Sequence, residues 1–248
     1  MRRPLRNRRI AAALLALAGC RPGSASEDAE PLPALGLFGT IPVYWGESDD
    51  IGEVLASDAR PDWVRSRLEQ RFALVPLDAL EDDTLAGQQR LLLAQPRALA
   101  PSENLALDRW VRAGGRALVL ADPMLTRRSM FPIGDPRRPQ DVALLSPILA
   151  RWGLELRFDE RQGDAERWIA EGGGELPVRL AGEFVTVPHD GAANCILSAS
   201  KLVARCRVGA GQVTLVADAA VLDGDDAGEA SADRRRSLDA LVAESLGE

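Results

Sequence analysis

The stretch from Pro101 to Pro123, PSENLALDRWVRAGGRALVLADP, restricts the possible folds more than any other part of the chain. Pro101 suits a first helical turn, and Glu103 places negative charge where a helix N-terminus carries partial positive charge. Leu107, Trp110 and Val111 fall on one helical face, and Asp108, Arg109 and Arg112 on the other. Gly114 and Gly115 stop the helix, because glycine accepts the left-handed conformation of a C-terminal cap. Ala117 to Ala121 is then an unbroken apolar run, the pattern of a strand covered on both faces, and Asp122-Pro123 closes it. A helix, a tight glycine turn and a doubly buried strand make half of a parallel βαβ unit. The fold class expected is therefore α/β, with an open, doubly wound and mostly parallel sheet.

The pattern recurs near the C-terminus. Gly211-Gln-Val-Thr-Leu-Val-Ala-Asp218 repeats Gly115-Arg-Ala-Leu-Val-Leu-Ala-Asp122 in form: a glycine, a polar residue, a short apolar run and a closing aspartate. Both strands would deliver an aspartate to one edge of the sheet, and ligands of open α/β sheets bind outside the carboxyl ends of the strands. Asp122 and Asp218 are thus candidate binding residues; the competing reading is that each caps the turn that follows it.

The chain opens with Arg2, Arg3, Arg6, Arg8 and Arg9, then an apolar run from Ile10 to Ala18 too short to span a bilayer as a helix. It closes on Leu17-Ala18-Gly19-Cys20, which resembles the lipobox of bacterial lipoproteins. Residues 1–19 are expected to be an export signal, and Cys20 the acylated (palmitate-bearing) N-terminus, with Arg21 favouring the outer membrane. Removing that signal takes away five arginines and leaves 25 basic residues against 37 acidic ones. So acidic a domain is a poor nucleic-acid binder. Residues 20–34, rich in Pro, Ser, Ala and acid, read as a flexible tether, and residues 35–248 as one domain. With Cys20 lipidated, Cys195 and Cys206 remain, on stretches that look like neighbouring strands in an oxidising compartment. A disulfide is expected, and buried free thiols are the alternative.

Further strands are expected over Leu35–Trp45, Phe72–Leu80, Leu91–Ala94 and Leu154–Phe158, and helices over Pro61–Gln70, Ser146–Gly153 and Arg234–Leu246. Residues 159–208 alternate in short runs broken by glycines, as antiparallel hairpins do, and read as a β-rich insert. The loop from Met124 to Asp141 gathers Arg127, Arg128, Arg137 and Arg138 in an otherwise acidic chain. They are candidates for an anion- or partner-binding lip, unless local acids such as Asp122, Asp135 and Asp141 neutralise them. Asp223-Gly-Asp-Asp226 reads as an exposed acidic turn.

Signatures of chemistry are sparse. His189 is the one histidine, which excludes a metal site built from histidines and leaves any Ser-His-Asp or Cys-His arrangement dependent on a residue in a Pro-His-Asp-Gly turn. There is no Gly-x-Ser-x-Gly elbow, no Walker loop and no Gly-x-Gly-x-x-Gly after a strand. No cofactor, no metal and no catalytic constellation is expected.

Leu91-Leu-Leu-Ala-Gln-Pro96, Leu107-Asp-Arg-Trp-Val-Arg-Ala-Gly-Gly115 running into Leu118-Val-Leu-Ala-Asp-Pro123, the Arg-Trp-Gly within Leu145–Leu154, and Gly209–Asp218 together resemble the ABC-type transport-system auxiliary domain, the family of the gliding-motility protein GldG. The resemblance spans roughly residues 38–222. It implies a fold like that of class I glutamine amidotransferases without the catalytic cysteine, and work beside ABC transporters or other envelope proteins. The function expected is accordingly that of a non-catalytic, lipid-anchored accessory on the periplasmic face of the envelope. The alternative is a diverged amidotransferase-like or other hydrolase using Asp122, Asp218 or His189.

Overall fold

The structure, a computed structural model, describes residues 31–47, 62–191, 193–225 and 228–247. The expected signal segment, Cys20, most of the tether and Asp226 lie outside the described residues.

From the N-terminal side, β1 (Ala34–Gly39) leads to helix α1 (Trp63–Leu68), β2 (Ala73–Pro76), the short helix α2 (Asp82–Leu85), β3 (Arg90–Ala94), α3 (Pro101–Arg112) and β4 (Arg116–Leu120). After the arginine-bearing loop come α4 (Ser146–Arg151) and β5 (Leu154–Arg157). The strands β6 (Arg167–Glu171), β7 (Gly174–Val178), β8 (Glu183–Thr186), β9 (Ala193–Leu197), β10 (Val203–Val208) and β11 (Gly211–Val216) follow, then a 3-10 turn (Ala220–Leu222) and α5 (Ala232–Leu246).

A mixed α/β domain results, whose central sheet has seven strands in the order β2-β1-β3-β4-β11-β10-β9. The first five run parallel, and β10 and β9 are antiparallel additions. The two apolar runs of similar form, β4 and β11, lie side by side with Leu120 opposite Val216. In β3 and β4 successive residues, Leu91 to Ala94 and Ala117 to Leu120, are all buried, because both faces of the sheet there are covered.

Glycine opens β11 for a steric reason. A Cβ on Gly211 would stand 2.0 Å from the Val111 carbonyl oxygen and 2.4 Å from that of Gly115. Only glycine lets the last turn of α3 and the start of β11 approach so closely. At the other end of α3, the Glu103 carboxylate accepts from the Ala100 and Leu80 amides at 2.8 and 3.1 Å and is gripped by both terminal nitrogens of Arg97. The Arg97 bonds hold its pKa at about 2, so this helix start stays ionised and capped at any physiological pH.

Two expectations are corrected. Residues 159–208 do not form one insert: β9 and β10 extend the central sheet, and only the β6–β7 hairpin and the β5–β8 pair lie outside it. Alternation reveals which segments pair locally, but not the sheet on which a hairpin docks. The strand expected over Phe72–Leu80 stops at Pro76, the last residue in register with β1. Proline has no N–H for a ladder and is tolerated here because β2 is an edge strand.

Candidate carboxylate site at the end of the parallel strands

The register that pairs Leu120 with Val216 carries both chains outward to Asp122 and Asp218, two residues further on, at the same edge of the sheet. Both are buried, at 2 % and 1 % exposure. Asp122 accepts from the Met124 amide through Oδ1 (2.8 Å) and from the Ala219 amide through Oδ2 (3.2 Å). Asp218 accepts from Ala220 through Oδ1 (2.6 Å) and from Arg179 through Oδ2 (2.8 Å). The Asp122–Ala219 bond crosses between strands, so Asp122 helps to fix the turn that follows Asp218.

A third strand end joins them. Gln95, past β3, has a left-handed backbone (φ 49°) and a fully buried side chain. Its Oε1 accepts from the Asp122 amide (2.8 Å), while Nε2 donates to the Asp122 and Gln140 carbonyls (both 2.9 Å). The Thr40 hydroxyl, beyond β1, donates to the Gln95 carbonyl at 2.6 Å and accepts from the Gln140 amide at 2.9 Å. Four neighbouring strand ends are thereby tied together by side chains.

Toward the surface the cluster continues through Asp223, Arg127 and Asp62, whose side chains are 18 %, 17 % and 16 % exposed. Arg127 donates to the Leu222 carbonyl (2.9 Å) and pairs with Asp62 (3.4 Å) and Asp223 (3.5 Å). Arg234 donates to the Ala220 and Asp223 carbonyls and pairs with Glu166.

Burial dominates the electrostatics. Desolvation pushes the Asp122 carboxyl up to about 7, against the pull of its two amide donors. It raises Asp218 well above the usual carboxylate range, and the Asp122 charge adds to the effect. Asp223 is also raised by burial, with Arg127, Arg234 and Arg179 opposing. The Asp122 and Asp218 carboxyls are therefore harder to ionise than an exposed aspartate, and the charge of one opposes ionisation of the other.

The other residues singled out from the sequence are placed differently. Arg127 turns inward to the carboxylates, whereas Arg137 pairs with Asp135 (2.8 Å) over the Phe131 ring. Arg138 meets Asp141 (3.4 Å) and the Phe131 carbonyl, and Arg128 is engaged as well. Arg127, Arg137 and Arg138 do not converge on one lip: the first pairs with Asp62 and Asp223, the other two with acids of their own loop. Asp223 is not part of an exposed acidic turn; Arg127 draws it in. Cys195 and Cys206 face each other across β9 and β10 and are joined by a disulfide (S–S 1.97 Å). His189 is exposed on its turn, bonded through Nε2 to the Ala193 carbonyl at 3.1 Å. The cleft beside it is lined by Arg112, Pro147, Ala150, Arg151, Pro188, Asp190 and Gly191, without a serine or cysteine, so a histidine-activated nucleophile does not form there. Among the described residues no group of three His, Cys, Asp or Glu side chains is arranged to hold a metal ion.

No family model matches the chain, and no curated protein does. Similar solved structures include an exo-β-1,4-mannosidase from Opitutaceae bacterium strain TAV5 (15 % identity, 88 % of this chain and 34 % of that one, TM-score 0.44). A β-galactosidase from Rahnella sp. R3 is similar over 86 % of this chain and 31 % of its own (15 % identity, TM-score 0.46). A ThuA-like protein from Bacteroides uniformis ATCC 8492 is covered over 97 % of its length and 90 % of this chain, at 8 % identity and TM-score 0.43. The chain spans about a third of the length of the two glycosidases. The expectation of a non-catalytic accessory of ABC-type transport is corrected: no family model supports the GldG-like resemblance on which it rests.

Proposed function

We propose that this chain is a hydrolase-type acid–base enzyme centred on Asp122, Asp218 and Asp223 at the carboxyl edge of β4 and β11, on a finer fold of the open, doubly wound, amidotransferase-like kind. The observation that carries it is the burial of two carboxyls, Asp122 and Asp218, at one end of neighbouring strands, with a third, Asp223, part-exposed against Arg127. Burial raises the Asp223 carboxyl above the usual range, the direction that suits a group giving and taking a proton in general acid–base catalysis. Asp223, partly exposed, is the group that meets substrate. Asp122 and Asp218 behind it set its field, and Arg127 is placed to hold negative charge that develops during bond cleavage. The location fits the general rule that open α/β sheets bind ligands beyond their carboxyl ends.

The test is steady-state hydrolysis of chromogenic glycosides, esters and amides by the purified chain. One class is expected to turn over, with kcat reduced about a hundredfold or more in Asp223→Asn. Turnover of none of the three classes, or an unchanged kcat in the variant, contradicts the proposal.

A second reading is favoured by the amide donors: all four carboxylate oxygens of Asp122 and Asp218 are used by backbone amides, as in a structural clasp between loops. On that reading substitution lowers stability and leaves any activity of the folded fraction intact.

The proposal also places the chain outside the cytoplasm, on the periplasmic side, held to a membrane, the outer one favoured, by lipid on Cys20. The sequence Leu17-Ala-Gly-Cys20 and the Cys195–Cys206 disulfide, which persists in oxidising compartments, support this. Cys20→Ala is expected to move the protein from the membrane to the soluble fraction on fractionation; retention in the membrane contradicts the anchor.

A further inference from the structure

At the opposite end of β11 from the carboxylates, the last turn of α3 meets the strand's start, with the Ala210 amide donating to the Arg112 carbonyl at 3.0 Å. A cleft of about 600 Å³ opens beside it, lined by Arg112, Arg151, Pro147 and the Pro188–Gly191 turn. Its chemistry is set by Asp108, whose side chain is 2 % exposed and which lies beneath two guanidinium groups. One oxygen of that carboxylate, Oδ2, accepts from Nε of Arg112 (2.9 Å) and from Nε of Arg151 (2.6 Å). The other, Oδ1, accepts from the indole of Trp152 (3.0 Å).

Both arginines are thus pinned side by side through their inner nitrogens. Among the described residues no other partner is bonded to their terminal nitrogens, so up to eight N–H donors remain on two guanidiniums that one buried carboxylate only half neutralises. A Cβ on Gly191 would come within 3.4 Å of a terminal nitrogen of Arg112 and 3.0 Å of the Arg151 carbonyl. The absence of a side chain there leaves the fork open. His189 also lines the cleft, its ring held by the Ala193 carbonyl, and Asp190 is the one carboxylate of the lining.

We propose that this cleft is a binding site for a phosphate group, with Arg112 and Arg151 as a paired fork and Asp108 as the residue that positions them. Guanidinium forks match the oxygens of a phosphate, and orientation by a buried carboxylate removes the entropy that free surface arginines would lose on binding. The site is separate from the carboxylate cluster and does not depend on the activity proposed there. In a chain with net charge −7, this cleft sets the outward-facing donors of two arginines against one carboxylate buried beneath them and one, Asp190, in its lining, so an anion there meets donors rather than a surplus of acid.

The experiment is calorimetric titration of the full chain with inorganic phosphate at low ionic strength, alongside Arg112→Gln, Arg151→Gln and the control Arg161→Gln, whose exposed side chain pairs with Asp159 elsewhere. Saturable one-site binding is expected, weakened about tenfold or more by either fork variant, as loss of a charge-assisted hydrogen bond implies, and unchanged in the control. If Arg112→Gln does not fold, Arg151→Gln, on a side chain that is 47 % exposed, decides the matter. No saturable binding at millimolar phosphate, or equal binding in the wild type and the folded fork variants, overturns the site.

Discussion

Replacing Asp108 by alanine is expected to lower the unfolding free energy by about 2–4 kcal/mol in urea denaturation, a large fraction of what holds a domain of this size together. Three donors converge on this one carboxylate, two guanidiniums and the Trp152 indole, and Trp152 is itself buried. Burial alone would raise the Asp108 carboxyl; the Arg112, Arg151 and Trp152 bonds outweigh it and hold the group below the usual carboxylate range. Without it, the indole N–H is left in a dry environment with no acceptor, which accounts for roughly 1–3 kcal/mol. The arginines contribute less, because with side chains 29 % and 47 % exposed they regain water. Asp108→Asn retains an acceptor for the indole and should recover part of the loss. A change below about 0.5 kcal/mol in Asp108→Ala, within the range of ordinary surface substitutions, would show that the three donors find other partners.

Asp108 also marks where the sequence misleads. Helical periodicity puts it on the polar face of α3 with Arg109 and Arg112, opposite Leu107, Trp110 and Val111. In the structure Asp108 is buried and Trp110 only partly so, its indole donating to the Gln88 carbonyl at 2.9 Å. The periodicity is sound; α4 packs against a face that looked polar, and an acid is stable there only because distant residues supply its donors. Gln95 is a second case. Its three side-chain bonds go to Asp122 and Gln140, and nothing local distinguishes it from any polar residue at a strand end. The β4–β11 pair was legible for the opposite reason. Unbroken apolar runs after glycine need cover on both faces, and two such runs fit best side by side in the middle of a parallel sheet. Their closing aspartates are visible as candidates, and so is Arg127 as part of an arginine-bearing loop, but its inward turn onto Asp223 is not. That arrangement depends on the path of two loops, which residue patterns do not encode.

The acid–base reading of the carboxyl edge implies a stability that depends on pH in the unusual direction. The Asp122 carboxyl is raised from 3.8 to about 7 by burial, so between those values the folded chain keeps a proton that the unfolded chain has released. Stability then falls as pH rises through that window. Asp218, raised by burial and by the charge of Asp122, acts in the same direction, as do Asp223 and Asp62. Glu103 works the opposite way, but with its pKa at about 2 its contribution is lost only in acid below the ordinary carboxylate range. From Asp122 alone, the difference between pH 5.5 and pH 8 comes to about 2 kcal/mol. Asp122→Asn removes that group and the smaller of the two causes that raise Asp218, its burial remaining, so the difference should shrink by about 2 kcal/mol. The deciding measurement is urea unfolding of the wild type and Asp122→Asn at these two pH values. Wild-type protein more stable at pH 5.5 by about 2 kcal/mol or more, with a much smaller difference in the variant, is the result expected of a carboxylate pair that keeps its protons near neutrality. Equal or greater wild-type stability at pH 8 would mean that the pair is ionised throughout, and would contradict an acid–base site at this edge of the sheet.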